Sequence, residues 1–149
     1  AGVGYVRTIA DDRIGLHGWS YGGSMTSYAM NHSKAWQLGI AGGTGTDWRN
    51  YDSIYTERYM MTPKNNPAGY DRTSIVKSAA GLSGKLMLIH GAIDDNVHLQ
   101  NTTQYAYELQ KAGKQFDLMI YPTARHGISD PRQVHHWYTM MTDYILKNL

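Results

Sequence analysis

Four short apolar runs, each closed by glycine or proline and separated by helix-like stretches, constrain this chain more than any other feature. Ile14-Gly15-Leu16-His17 ends at Gly18, and Leu38-Gly39-Ile40-Ala41 ends at Gly42-Gly43. Lys85-Leu86-Met87-Leu88-Ile89-His90 ends at Gly91, and Phe116-Asp117-Leu118-Met119-Ile120-Tyr121 ends at Pro122. Runs of this length with such stops read as buried strands. Between them, residues 21–33 place Tyr21, Met25, Tyr28 and His32 at helical spacing. Residues 48–61 read as helical or turn-like and close at Pro63, and Asp71 is a candidate cap for a helix over 72–80 that stops at Gly81. Residues 98–112 put Tyr105, Leu109 and Ala112 on one face, with Gly113 just beyond. Asp130 and Pro131 open a last helix whose stripe is Val134, Trp137, Tyr138, Met141, Ile145 and Leu149. The alternation predicts an α/β fold, a parallel sheet with helical crossovers. Ligand chemistry in such sheets sits at the carboxyl ends of the strands.

At 149 residues the chain is one domain. It has no cysteine, which excludes disulfides, thiolate-bound zinc and a thiol nucleophile. The net charge is +2 and the 14 Lys and Arg are scattered, which argues against nucleic acid as a partner. No apolar run approaches the ~20 residues of a membrane span. The first residues, Ala1 to Tyr5, lack the basic and apolar regions of a signal peptide and an initiator Met. The chain is therefore expected to be a piece of a longer one. Twelve Tyr and four Trp against one Phe favour half-wet pockets, because Tyr and Trp carry a polar group on an apolar ring.

Gly18-Trp19-Ser20-Tyr21-Gly22 is a G-x-S-x-G pentapeptide lying between a predicted strand and a predicted helix. That context is what a nucleophile elbow requires. The flanking glycines let strand and helix approach without Cβ clashes, and the serine projects above the sheet edge. The Tyr21 amide can then point at an oxyanion. A serine needs a base, and the base needs an orienting carboxylate. Asp94 and Asp95 follow the strand at 85–90, and His126 follows the strand at 116–121. Ser20, an acid and a histidine thus follow three strand ends that share one edge, in the order Ser, Asp, His. One aspartate is expected to be the acid and the other to cap the helix near His98. His90 and His17, each in a strand, are expected to be packed core histidines. His135 and His136 diverge by about 100° on a helix and make a poor metal pair. Asp94, Asp95 and His98 lack a second ligand cluster, so neither a metal nor any other cofactor is expected.

The segments Gly18-Trp19-Ser20-Tyr21-Gly22-Gly23, Tyr51 to Met60, His90 to His98 and His126-Gly127-Ile128 together resemble the prolyl oligopeptidase family, and within it the dipeptidyl peptidase IV branch. The resemblance runs through nearly the whole chain. It implies the C-terminal portion of an α/β-hydrolase peptidase domain occupying residues 1–149, with earlier strands and a β-propeller absent from this sequence. It implies that Ser20 is the nucleophile, Asp94 the acid, His126 the base and the Tyr21 amide an oxyanion donor. Tyr21, Trp48, Tyr51, Tyr55 and Val97 resemble the walls of a pocket for a proline-like side chain. Asn96 resembles the group that binds a substrate carbonyl. Gly45 stands where the branch has valine, which implies a looser pocket floor and a less strict proline preference.

The residues agree in part. Trp48, Tyr51, Tyr55 and Tyr59 recur every three or four positions, as on one helix face, and four such rings would be costly to bury dry. The implied activity is release of N-terminal dipeptides from a peptide substrate, with proline or alanine at the cleaved position. The alternatives are an acylaminoacyl peptidase or carboxylesterase of the same fold, or a non-catalytic interaction module derived from a hydrolase. The exposed edge of the strand at 13–17 implies self-association, or pairing with the missing N-terminal part. The family's bacterial members imply a periplasmic or cell-surface location.

Overall fold

The computed structural model describes residues 13–149, so the reading of Ala1 to Tyr5 lies outside it. Among these residues four strands, β1 (Gly15–Trp19), β2 (Leu38–Gly42), β3 (Lys85–Gly91) and β4 (Asp117–Tyr121), form one sheet in the order β1-β2-β3-β4. Every pairing is parallel: Gly15 sits opposite Leu38, Leu38 opposite Lys85, and Met87 opposite Asp117. Among the described residues five α-helices accompany them: α1 (Tyr21–His32), α2 (Ser53–Met60), α3 (Pro67–Thr73), α4 (Gln100–Lys111) and α5 (Pro131–Asn148).

Each crossover steps one strand in the same direction, so right-handed connections put α1 and α4 on the same face of the sheet. Side chains along β2 and β3 alternate between the two faces with period two. Leu86 and Leu88 join Met30 of α1 and Tyr105 and Leu109 of α4 in one core. Leu38, Ile40, Met87 and Ile89 join Met141 and Tyr144 of α5 in the other. Each fully buried aliphatic side chain contributes about 1.5–3 kcal/mol before the entropy of ordering is counted.

Several expectations change in detail. Tyr21, Met25 and His32 are exposed, and α1 instead buries Gly23, Ser24, Thr26, Ser27, Met30 and Asn31. A helix packed this close to a sheet presents its small residues to it. The segment 48–61 is not one helix. Trp48–Asn50 is a 3-10 turn, and α2 begins only after Asp52, whose carboxylate accepts from the Tyr55 amide at 2.8 Å. Trp48 and Tyr51 therefore precede the helix that carries Tyr55 and Tyr59.

Asp71 caps nothing. It lies inside α3, which starts at Pro67 with Asn66 as its cap, and it pairs with Arg49 and Lys77. Proline fixes φ at a first helical position, and that signal outweighs a carboxylate four residues on. Between α3 and β3 the chain forms no α-helix, and its one short helical element is a 3-10 turn at Ala79–Gly81. The last helix starts at Asp130-Pro131 as expected, but Tyr138 and Ile145 of its stripe are exposed and Tyr144 is buried in their place.

Candidate active site

Ser20 follows the last residue of β1 and precedes the first of α1. Its φ is 58°, in the left-handed region that non-glycine residues avoid. Two contacts hold it there. The Ser20 amide donates to the Gly42 carbonyl at 2.8 Å, which ties the elbow to the neighbouring strand. The backbones of strand and helix also touch at Gly18, where a Cβ would lie 2.1 Å from the Gly22 carbonyl oxygen. Gly22 itself has open space where its Cβ would be, so the pentapeptide needs its first glycine for clearance and not its second.

The loops after β3 and β4 are stitched together. The Ala92 amide donates to the Tyr121 carbonyl and the Ile93 amide to the Ala124 carbonyl. The loop after β4 is in turn held by Trp19, whose indole N–H donates to the His126 carbonyl at 2.8 Å. Sequence gives this aromatic residue of the elbow no role beyond that of a spacer.

The result is a continuous chain of hydrogen bonds. Ser20 Oγ lies 2.9 Å from His126 Nε2, and His126 Nδ1 lies 2.8 Å from Asp94 Oδ2. The other carboxylate oxygen, Oδ1, accepts from the Asn96 and Val97 amides at 3.0 and 2.9 Å. The Asp94 side chain is fully buried, while that of His126 keeps partial access to solvent. A carboxylate oxygen facing Nδ1 at this distance accepts its N–H and so fixes the Nδ1–H tautomer of His126. Nε2 is then free to accept the serine proton. The second aspartate of the pair does not join in. Asp95 points outward and pairs with Arg125 at the surface, a contact worth about 0–1 kcal/mol. It caps no helix, since the cap residue of α4 is Leu99 and no side chain bonds there.

The two strand histidines part company. His90 is fully buried, with both ring nitrogens bonded. His17 is exposed, because β1 has a neighbour on one side only among the described residues. No three His, Cys, Asp or Glu side chains among the described residues group closely enough to hold a metal ion.

Beside Ser20 lies a cavity of about 130 Å³. Tyr21, Trp48, Tyr51 and Tyr55 wall it with aromatic rings, and Ser24, Gly45 and Val97 complete it. The rings brace one another: Tyr51 and Tyr55 meet edge to face at 5.4 Å, and Trp48 lies 6.2 Å from each. A second, larger cavity of about 400 Å³ shares Tyr21, Trp48 and Tyr55 and is closed by Tyr59 and Met60. Asn96 is exposed near the mouth, and its Oδ1 accepts the Tyr51 hydroxyl at 2.6 Å. Burial, then the nearby Asp52, raises the pKa of Tyr51, which keeps that hydroxyl a donor. With Oδ1 accepting from Tyr51, the side-chain N–H groups are the donors that Asn96 can offer another partner. The Tyr21 amide is among the first of α1, which have no partner within the helix.

The sequence and its fold recur in known proteins. Residues 5–149 match the prolyl oligopeptidase family over nearly the whole sequence. The chain belongs to the prolyl oligopeptidase family. It is 47% identical over 125 residues to a probable dipeptidyl-aminopeptidase B of Aspergillus niger, covering 81% of this chain and 14% of that protein. It is 41% identical over 142 residues to human dipeptidyl peptidase 8, covering 93% of this chain and 16% of the relative. Among solved structures it superposes on Porphyromonas gingivalis dipeptidyl peptidase 4 with a TM-score of 0.91 and 42% identity, over 93% of this chain and 20% of that one. A putative dipeptidyl aminopeptidase IV from Bacteroides ovatus gives 0.93 at 36% identity, over 99% of this chain and 21% of that one. The fold is therefore that of the α/β hydrolases in this family, and the chain spans about a sixth of the length of these curated relatives. No helix among the described residues is long and apolar enough to cross a membrane.

Proposed function

We propose that this chain forms the catalytic face of a serine peptidase that removes dipeptides from the amino ends of peptides, as the C-terminal part of a longer protein. The observation that carries the reading is the hydrogen-bonded series Ser20, His126, Asp94 opening onto an aromatic cavity. Ser20 Oγ attacks the scissile carbonyl carbon, and its proton passes to His126 Nε2. Asp94 stabilises the imidazolium without taking a proton. The Tyr21 amide donates to the oxyanion of the tetrahedral intermediate. When that intermediate collapses, His126 returns the proton to the leaving amine, and the acyl group remains on Ser20. Water then repeats the sequence in reverse roles and frees the acid product.

The residue at the cleaved position enters the 130 Å³ cavity, whose flat rings suit a pyrrolidine or a methyl side chain. An Asn96 side-chain N–H donates to a substrate carbonyl, with Tyr51 fixing the amide. Gly45 leaves the cavity floor open. A Cβ there would meet only Ser24 Oγ, at 3.5 Å, so residues somewhat larger than proline are accommodated.

The test is intact mass after incubation with a fluorophosphonate, beside Ser20→Ala. A single adduct lost in the variant supports the serine hydrolase. No adduct in the full-length polypeptide overturns it. Turnover of a Gly-Pro amide in preference to short acyl esters separates the peptidase from an esterase.

A further inference from the structure

His90 is the fully buried histidine that the mechanism above leaves unused. It stands one residue before the end of β3, beneath the loop that carries Asp94. Nε2 lies 2.7 Å from the Val97 carbonyl oxygen, and Nδ1 lies 2.7 Å from Thr102 Oγ1. A carbonyl only accepts, so Nε2 bears a proton. The Thr102 hydroxyl can donate, so Nδ1 needs none. Those partners select the neutral Nε2–H tautomer.

The same Nε2 sits 3.3 Å from Asp94 Oδ2, the oxygen that takes the His126 Nδ1–H at 2.8 Å. Two imidazoles thus approach one carboxylate oxygen, and the backbone amides of Asn96 and Val97 hold the other. Resting on the peptidase reading, we propose that His90 is a positioning residue of this site. Its Nε2–H, shared between the Val97 carbonyl and Asp94 Oδ2, pins the carboxylate in the orientation that holds His126.

The device works only if His90 is uncharged. A cation there would compete with the His126 imidazolium for Asp94. Burial depresses the basicity of His90, against the raising effect of the Val97 carbonyl and Asp94, and His126 lowers it further. Asp94 and His126 are the titratable groups that face it. The same N–H also faces Oδ2, so its removal changes the charge that Asp94 presents to His126.

The experiment is the pH dependence of fluorophosphonate labelling and of kcat and KM, in the full-length polypeptide. His90→Leu removes the donor, and His90→Gln restores an N–H. Thr102→Val removes the partner that fixes the tautomer. His90→Leu is expected to lower kcat about tenfold at unchanged KM. It is also expected to move the acid limb upward by about half a pH unit. His90→Gln should recover most of both effects, and Thr102→Val should act in the same direction as His90→Leu, more weakly. A melting scan on each variant separates folding loss from rate loss.

If His90→Leu is folded and its acid limb and kcat match wild type, the proposal fails while the serine hydrolase stands. If wild type takes no label, both fail. Should His90→Leu not fold, ¹⁵N-histidine spectra of wild type decide. One ring holding the neutral Nε2–H form while His126 titrates supports the assignment, and a cationic His90 at neutral pH overturns it.

Discussion

The three residues around Asp94 and the aromatic wall around Tyr55 occupy the same edge of the sheet and are built on opposite terms. Asp94 is buried, both its oxygens are bonded, and its loop is sewn to the loop of His126 by backbone hydrogen bonds. The wall stands on a 3-10 turn and on α2, which buries only Thr56. Ile54 is 88% exposed and Tyr59 69%, so α2 rests on its rings and its cap and not on the sheet. Nucleophile activation needs positions fixed to a few tenths of an ångström and gains from a dry setting. Side-chain selection needs a shape and tolerates a wall that adjusts. The two tasks are therefore separable by mutation.

The largest expected effect lies in the buried region. Ser20→Ala should lower turnover by about a millionfold while leaving the thermal midpoint nearly unchanged, which active-site titration and a melt would check together. Next is Asp94→Asn, which leaves His126 in the wrong tautomer. A fall of about 10⁴ in kcat is expected, and a loss confined to KM would break the distinction drawn between the two regions. On the wall the effects shrink and change kind. Gly45→Val fills the cavity floor, and the ratio of kcat/KM for proline against a bulkier residue should rise about tenfold. An unchanged ratio would mean that Gly45 is not part of the selective surface. Tyr51→Phe frees the Asn96 amide to turn and should raise KM about fivefold with kcat preserved. Smallest is Asp52→Ala, which removes the cap of α2 at a cost of about 1 kcal/mol. The urea midpoint should drop modestly and fluorophosphonate labelling of Ser20 should persist.

Sequence carries the strands well because a glycine or proline stands close to the end of each: Gly18, Gly42, Gly91 and Pro122 mark the ends to within a residue or two. It carries the order of Ser20, Asp94 and His126 for the same reason, since the chemistry follows those stops. It fails where geometry is not local. His17 and His90 look alike as strand histidines, yet one is at the sheet margin and the other inside, and only strand order tells them apart. Trp48, Tyr51, Tyr55 and Tyr59 have helical spacing, and the rings do gather, but a 3-10 turn and a capped helix bring them together instead of one helix. A linear reading divides the work at this edge between Asp94 and Asp95. Asp94 alone serves both as anchor of the 96–97 turn and as partner of His126.

The order of the strands along the chain has a consequence for biosynthesis. Ser20 emerges from the ribosome early, and His126 follows it by 106 residues. A serine without its base is a poor nucleophile. The strands lie side by side in sequence order, and the loop that carries His126 follows β4, the last of them to be made. On the proposed reading, a half-made chain therefore meets the peptides of the cell that produces it without the means to cut them.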